Sequence, residues 1–193
     1  MDNLEQSIKK NFIRLGLWLG LGLLALNIFS FYFITEISKS PVMFVAAPLI
    51  YSFIVPIILV IVLCFYGRKK IGGYWSFKQA TTGIFIMFLI AYVMLTVGRD
   101  FIFARLIEPH MIEKTEKAFL NASAIIRKQP GANQKQLDVT EADVKRNFEE
   151  QKNVTVGKVV QGIALSIIFI FVLALIFGAL FKRDLPVYPA STD

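Results

Sequence analysis

Four stretches of this chain contain no charged residue and are long enough to cross a lipid bilayer. They comprise 20, 25, 20 and 23 of the 193 residues: Leu15–Ile34, Val42–Tyr66, Gln79–Gly98 and Val159–Phe181. Because a helix rises about 1.5 Å per residue and the hydrocarbon core is about 30 Å thick, roughly 20 apolar residues span it. The sequence therefore predicts an all-α membrane protein with four transmembrane helices, at about 15–34, 42–66, 78–98 and 159–181.

The composition supports a single membrane domain over residues 1–193. The chain is 55% hydrophobic and contains 18 Phe, more apolar surface than a soluble domain of this size can bury. Outside the spans we expect one extracytoplasmic helical loop, 99–158, and a flexible cytoplasmic tail, 184–193. These segments leave no room for a separate soluble catalytic domain of ordinary size.

Basic residues concentrate on one side of the predicted spans. Among the tails and short connections, nine of the ten Lys and Arg fall on the same side, with Lys39 the exception. Because cytoplasmic loops are enriched in Lys and Arg, both termini should be cytoplasmic, in the inner membrane of a bacterial cell. The net charge of +7 thus favours contact with lipid head groups over nucleic acid binding. Candidate head-group contacts are Arg68, Lys69, Lys70, Arg99 and Arg105.

The 99–158 loop carries a helical pattern. Apolar residues in Met111–Ile126 recur at seven-residue spacing on one side of a helix, with charged residues opposite. Pro109 is a plausible first residue of this helix, Pro130-Gly131 marks a turn, and Thr140 begins a second, weaker helix. The expected structure is an extramembrane helical hairpin. Its candidate partner-binding residues are Met111, Ile112, Phe119, Ala122, Ile125 and Ile126.

Small residues and prolines predict features within the spans. Gly16-x-x-x-Gly20 and Ala174-x-x-x-Gly178 allow close approach of helix backbones, and packing within the chain is favoured over a homodimer face. Pro48 and Pro56 each lack a backbone N–H, so they should bend the second span. The N-terminal tail, with Ile8 and Phe12 on one face, should form an interfacial helix that runs into the first span.

The link before the third span is rich in local signals. Gly72-Gly73 permits a turn with positive φ, and Tyr74 and Trp75 suit the head-group level. Ser76-x-x-Gln79 is a capping box, which predicts that the third span begins near Ser76.

Signals for catalysis are weak. The uncharged stretches hold no ionisable Asp, Glu, Lys, Arg or His, which disfavours a proton-coupled transporter. The chain has no phosphate-binding loop, nucleophile elbow or paired-carboxylate motif. His110 and Glu113 are spaced to share a metal, but the lone histidine has no second His or Cys to support it, so neither a metal nor a cofactor is expected. A membrane enzyme that uses Arg99, Asp100, Glu108 and His110 on a lipid-linked substrate stays an alternative.

The chain resembles a bacterial four-span inner-membrane family of unknown function. The resemblance rests on Gly72-Gly73-Tyr74-Trp75-Ser76-Phe77-Lys78-Gln79-Ala80 before the third span and on the Glu108-Pro109 step after it. It covers about Leu15 to Lys182 and implies fold and location. Since that family has no established activity, it implies no catalytic residue.

The sequence thus favours a non-enzymatic scaffold or partner-binding subunit that uses its extracytoplasmic amphipathic helix. The alternative is a small-molecule or lipid transporter, which would act as an oligomer because four short spans enclose little space. Expected partners are membrane lipids, together with a membrane protein or further copies of the chain.

Overall fold

The computed structural model describes residues 2–37, 40–152 and 155–184, which form six helices. These are α1 (2–37), α2 (41–70), α3 (77–107), α4 (Met111–Arg127), α5 (Gln134–Lys152) and α6 (Val156–Phe181). The described residues contain no β-strand, so the predicted all-α class is confirmed.

Four of these helices are long and apolar enough to cross a membrane. The qualifying segments are Glu5–Ile37, Ala46–Lys70, Phe77–Ile107 and Val156–Phe181. They belong to α1, α2, α3 and α6, in the order that the uncharged stretches predict. The chain has the helices of a multi-pass membrane protein.

The spanning helices run further than the uncharged stretches. α3 continues nine residues past Gly98, so Arg99, Asp100 and Arg105 lie on the helix and not in a loop. The reason is that exposed charges do not end a helix, whereas Pro109 lacks an N–H and pushes the preceding residue out of the helical conformation. Glu108 accordingly has φ −129° and ψ 72°. The predicted 99–158 loop therefore shortens to 108–155. Lys39 and, apart from Asp184, the predicted 184–193 tail lie outside the described residues.

The predicted helical hairpin is present as α4 and α5, which pack against each other. Arg127 of α4 donates to Asp138 at 2.8 Å and to Glu141 at 3.0 Å on α5.

Two boundaries of the hairpin differ from the prediction. α5 begins at Gln134 and not near Thr140, because the Asn133 side chain accepts a hydrogen bond from the Gln136 N–H at 3.2 Å and caps the helix. Pro109 is not the first residue of α4, since the helix begins at Met111 with His110 before it.

The helices form two compact units, each built from segments that are distant in the sequence. Unit 1 combines the described residues of Met1–Leu21, Ile58–Met94 and Leu165–Asp193. Unit 2 combines those of Gly22–Ile57 and Leu95–Ala164. Segments of α1, α2, α3 and α6 contribute to both units.

Unit 1 is held by close helix contacts at small residues. A Cβ added at Gly16 would lie 2.7 Å from the Met87 carbonyl oxygen on α3. A Cβ at Gly178 on α6 would overlap the Thr81 hydroxyl and lie 3.1 Å from the Thr81 Cα. Both small-residue patterns therefore pack within the chain, as predicted.

Trp75, in the link before α3, binds the C-terminal end of α6. This residue is 2% exposed, and its ring stacks on Phe12 with centroids 5.3 Å apart. Its indole N–H donates to the Phe181 carbonyl at 2.6 Å, and its backbone exchanges hydrogen bonds of 2.9 and 3.1 Å with Arg183. Trp75 is thus buried in unit 1, where a carbonyl of α6 satisfies the N–H that water would otherwise satisfy, and its head-group level stays a prediction.

The link before α3 has the local structure that its sequence predicts. The capping box is present, with Ser76 N–H donating to Gln79 Oε1 at 2.9 Å. Gly72 and Gly73 have φ of 99° and 85° at the predicted turn.

The N-terminal tail is helical as predicted, but Ile8 and Phe12 are buried in unit 1 and do not form an interfacial face. Phe12 is covered because it packs against Gly67 and Gly83.

Unit 2 contains the π-helical segments of the described chain. They are Phe33–Ile37 in α1, Ile50–Ile54 in α2 and Thr96–Ile107 in α3. The α2 segment is closed by a hydrogen bond from the Val55 N–H to the Ile50 carbonyl. It lies between the two prolines, where the wider turn accommodates the missing Pro56 donor.

Candidate functional site

Unit 2 contains a partly open cavity of about 220 Å³ at the π-helical segments. Its walls come from α1, α2, α3 and the start of α4. Half of the lining residues are polar, which is unusual beside apolar helices. The hydrogen-bonding side chains that line it are Asn27, Ser30, Thr35, Tyr51, Ser52, Arg99 and Thr115.

Three of these side chains already donate to their own helices. Asn27 donates to the Leu23 carbonyl at 3.0 Å, Thr35 to the Phe31 carbonyl at 3.0 Å, and Thr115 to the Met111 carbonyl at 2.8 Å. Each bond uses one hydrogen and leaves the side-chain oxygen free to accept another. The walls therefore offer hydrogen-bond acceptors at three positions.

The remaining polar groups supply donors. The Ser30, Tyr51 and Ser52 hydroxyls form no hydrogen bond with the residues that the structure describes, and each can donate one hydrogen. Arg99 adds a guanidinium that is about half exposed and whose Nε lies 3.8 Å from Asp100 Oδ1. This distance is too long for a hydrogen bond, so the donors of Arg99 are available to a ligand.

A part-buried junction of Glu108, Lys114 and Tyr32 lies at the α4 end of the cavity. The Glu108 carboxylate accepts from Lys114 Nζ at 2.9 Å and from the Tyr32 hydroxyl at 3.4 Å. The hydrogen bond to Glu108 raises the pKa of the Lys114 ammonium, because the carboxylate stabilises the charged form. The junction ties α4 to α1 and holds Met111 and Thr115 against the cavity.

The predicted partner-binding face of α4 is partly covered by other helices and partly exposed. α4 contacts 33–37, Pro41–Leu49 and α5, which cover much of its apolar side. Ala122 is buried, Met111 lines the cavity, and Ile112, Phe119 and Ile126 are half-buried. Ile125 is 44% exposed. Partner binding stays a prediction, and the open part of this face centres on Ile125.

The five predicted head-group contacts fall into both units. In unit 2, Arg99 lines the cavity, whereas the Arg105 guanidinium lies 4.8 Å from the Phe101 ring centroid. In unit 1, Arg68, Lys69 and Lys70 form the last turn of α2. Lipid contact at these positions stays a prediction.

His110 and Glu113, the pair considered for a metal site, contact each other. His110 Nδ1 and Glu113 Oε2 lie 3.1 Å apart, and both side chains are exposed. In the described ranges, no group of three His, Cys, Asp or Glu side chains is placed to hold a metal ion.

The sequence profile of one protein family matches residues 14–183, which is most of the chain. The chain belongs to the family described as Protein of unknown function (DUF4199). No curated protein and no solved structure matches it significantly. The resemblance to a membrane family of unknown function is thereby confirmed, whereas the bacterial origin and the motif stay predictions.

In this DUF4199 chain, the residues that carried the resemblance have structural roles. Trp75 and Ser76 anchor α6 and cap α3, and Glu108 forms the junction beside the cavity. The sequence did not single out the cavity residues Ser30, Thr35, Tyr51 and Thr115. Their only signal is a set of hydroxyls near the ends of apolar helices, and such hydroxyls usually bond to their own backbone.

Proposed function

We propose that this chain is a non-enzymatic membrane protein that binds an oxygen-rich polar ligand in the unit 2 cavity. One observation carries the proposal: seven hydrogen-bonding side chains from four helices line a single, partly open cavity. Polar groups beside the hydrocarbon region are costly when they lack partners and often mark binding sites or pathways. A ligand with several oxygens would supply those partners.

The chemistry of the lining narrows the ligand class. Arg99 presents a planar fork that suits a phosphate or carboxylate, and the Ser, Thr, Tyr and Asn groups suit hydroxyls or further acid oxygens. The volume, about 220 Å³, exceeds the roughly 30 Å³ that one water occupies by severalfold. The cavity therefore fits a small polar acid or the head group of a lipid.

Native mass spectrometry of the protein purified from membranes in mild detergent tests this proposal. The wild type should retain a bound small molecule at about one per chain. Arg99→Gln removes the charged donor group, and Ser30→Leu fills the space. Arg99→Gln should weaken binding about tenfold, because a charge-assisted hydrogen bond contributes roughly 1.5 kcal/mol or more. Ser30→Leu should lower the occupied fraction because the larger side chain takes up volume that the ligand needs.

Arg105→Gln is the matched control, since Arg105 lies on the same helix segment but stacks on Phe101 outside the cavity. It should leave the occupied fraction unchanged. The proposal fails if the wild type carries no bound molecule, or if the Arg99 and Arg105 variants lose it equally.

A second candidate function is partner binding by the α4–α5 hairpin. It is favoured by two large apolar side chains that the hairpin leaves open, Ile125 at 44% and Val139 at 59% exposure. A photocrosslinking amino acid at Ile125 should capture a membrane protein or a second copy of the chain in native membranes. The same probe at Asp143, an exposed polar position of α5, is the control. Equal yields at both positions would remove this candidate.

A small-molecule or lipid transporter remains the alternative use of the cavity. Such a role would require several copies of the chain and exchange of the ligand between the two membrane faces. Reconstituted vesicles that bind the ligand without moving it would favour binding over transport.

The proposed location is the inner membrane, with both termini cytoplasmic. Single cysteines at Lys69 and Lys135, both exposed, test the orientation in a Cys64→Ala background. An impermeant thiol reagent added outside should label position 135 and spare position 69. The reverse pattern would invert the proposed topology.

A further inference from the structure

A second pocket, of about 270 Å³, opens on unit 1 between the N-terminal part of α1 and the end of α2. α1 contributes side chains at spacings of three, four and seven residues, which share one helix face. α2 contributes two side chains one turn apart. The lining residues are Asn11, Arg14, Leu15, Trp18, Tyr66 and Lys70.

The pocket combines two cations with two aromatic rings. Lys70 Nζ lies 5.3 Å from the Tyr66 ring centroid, and Trp18 is 64% exposed. Neither Arg14 nor Lys70 forms an ion pair within the described residues. By contrast, Lys114, Arg127 and Lys152 in unit 2 all pair with carboxylates. The two cations of the pocket are therefore available to an external anion.

The position along the chain indicates the source of that anion. Arg14 immediately precedes the first uncharged stretch, and Lys70 follows the second by four residues. The pocket thus lies where two apolar segments end, which is the level of lipid head groups. Trp18 and Leu15 lie on the apolar side of Arg14, where the glycerol and the start of an acyl chain would be. A zwitterionic lipid would bring a second positive charge toward Arg14 and Lys70, whereas an anionic lipid would not.

We propose that this pocket binds one anionic phospholipid, with its phosphate held between Arg14 and Lys70 and its glycerol region against Trp18. Basic pockets between spanning helices are suited to such head groups because charge-assisted hydrogen bonds form where water is partly excluded. This site is separate from the unit 2 cavity and does not depend on the function proposed for it.

Quenching of tryptophan fluorescence by brominated lipid provides a direct test. The chain has two tryptophans, and Trp75 is buried, so Trp18 is the one that a bound lipid can quench. In mixed micelles, brominated phosphatidylglycerol should quench at a much lower mole fraction than brominated phosphatidylcholine. Trp18→Phe should abolish this quenching, which identifies the pocket as its source.

The charge requirement is tested by a double variant, Arg14→Gln with Lys70→Gln. The loss of two cations near the surface should weaken phosphatidylglycerol binding about thirtyfold. Lys10→Gln with Lys69→Gln is the matched control. It removes the same charge from neighbouring, exposed positions outside the pocket and should change binding less than about threefold. Circular dichroism melting verifies that each variant is folded. If the charge variant does not fold, single-site Trp18→Ala, read by native mass spectrometry, should still lose bound phosphatidylglycerol.

Three outcomes would overturn the proposal. Equal loss in the double variant and its control would show diffuse attraction in place of a site. Equal quenching by the two lipids would show no preference for anionic head groups. Displacement of the lipid by millimolar glycerol 3-phosphate would assign the pocket to soluble phosphate compounds instead.

Discussion

The two units of this chain use segments of the same four spanning helices in different ways. Unit 1 brings backbones into close contact at Gly16 and Gly178 and buries Trp75. Unit 2 widens its helices into π-helical segments around a polar cavity. The difference follows from side chains, because small residues allow close approach whereas hydroxyls, prolines and an arginine require space and partners.

Charge separates the units as well. The described residues of unit 1 carry nine Lys and Arg against three Asp and Glu, whereas those of unit 2 carry eleven against ten. In unit 2 most of these charges form ion pairs, some across the α4–α5 hairpin or at Glu108 and others between residues close in the sequence. Unit 1 is therefore a closely packed, basic unit suited to lipid head groups, and unit 2 is the part suited to a ligand within the chain.

The largest expected effect concerns Trp75, the anchor of unit 1. Trp75→Ala should lower the free energy of unfolding in detergent by about 3–5 kcal/mol, since it removes a buried ring and a buried hydrogen bond. Trp18→Ala is the matched control and should change stability by less than about 0.5 kcal/mol, because Trp18 is exposed. Comparable losses, measured by SDS titration, would contradict the anchoring role.

Glycine substitutions compare packing in the two units directly. Gly178→Ala should destabilise by about 1–3 kcal/mol, because the new methyl group meets the Thr81 backbone and hydroxyl. Gly98→Ala in unit 2 should be close to neutral. There the methyl meets only the flexible tip of Leu24, and alanine gains roughly 0.5–1 kcal/mol in helix propensity. Thermal unfolding of both variants in one detergent measures the difference, and equal losses would remove the proposed contrast in packing.

The junction at Glu108 should contribute less than the unit 1 contacts. Glu108→Gln keeps an acceptor for Tyr32 but neutralises the partner of Lys114, so the expected loss is about 1 kcal/mol. Glu113→Gln disrupts the exposed pair with His110 and should cost almost nothing. A double-mutant cycle with Lys114→Met should return a coupling energy near the single loss. A coupling near zero would mean that the junction does not hold α4.

The smallest expected effect concerns the start of α5, which is Gln134 in the structure and Thr140 in the sequence prediction. Asn133→Ala should speed amide hydrogen exchange in the first turn of α5 by about two- to fivefold, as expected for a lost cap of roughly 0.5–1 kcal/mol. Thr140→Ala should not do so, because its hydroxyl only bonds back to the Gln136 carbonyl. Faster exchange in the Thr140 variant alone would mean that α5 begins near Thr140, as the sequence predicts.

Local sequence rules predicted much of the fold. The apolar stretches located four spanning helices, Ser76 and Gln79 located the start of α3, and the repeat in Met111–Ile126 located α4. The errors have a common origin. Arg99 and Ile8 were assigned to loop and interface because charge and amphipathic character suggest water, whereas their neighbours in the fold decide whether water is present.

The candidate sites were harder to predict. Arg99 was marked as a head-group contact, but its position on a cavity wall depends on Asn27, Ser30, Tyr51 and Thr115, which come from three other helices. Similarly, Lys70 was marked on charge alone, and its pairing with Arg14 joins residues 56 positions apart. A single sequence gives no distance between such residues.

By itself, the sequence determined that the chain enters a membrane, how many times it can cross, and where α3 begins. These properties depend on hydrophobicity and on hydrogen bonds between residues a few positions apart, which are readable locally. Only the tertiary structure decided that Trp75 anchors α6, that polar groups share a cavity in unit 2, and that Arg14 and Lys70 share a pocket in unit 1. These features require contacts between distant segments, whose geometry follows from the packing of whole helices.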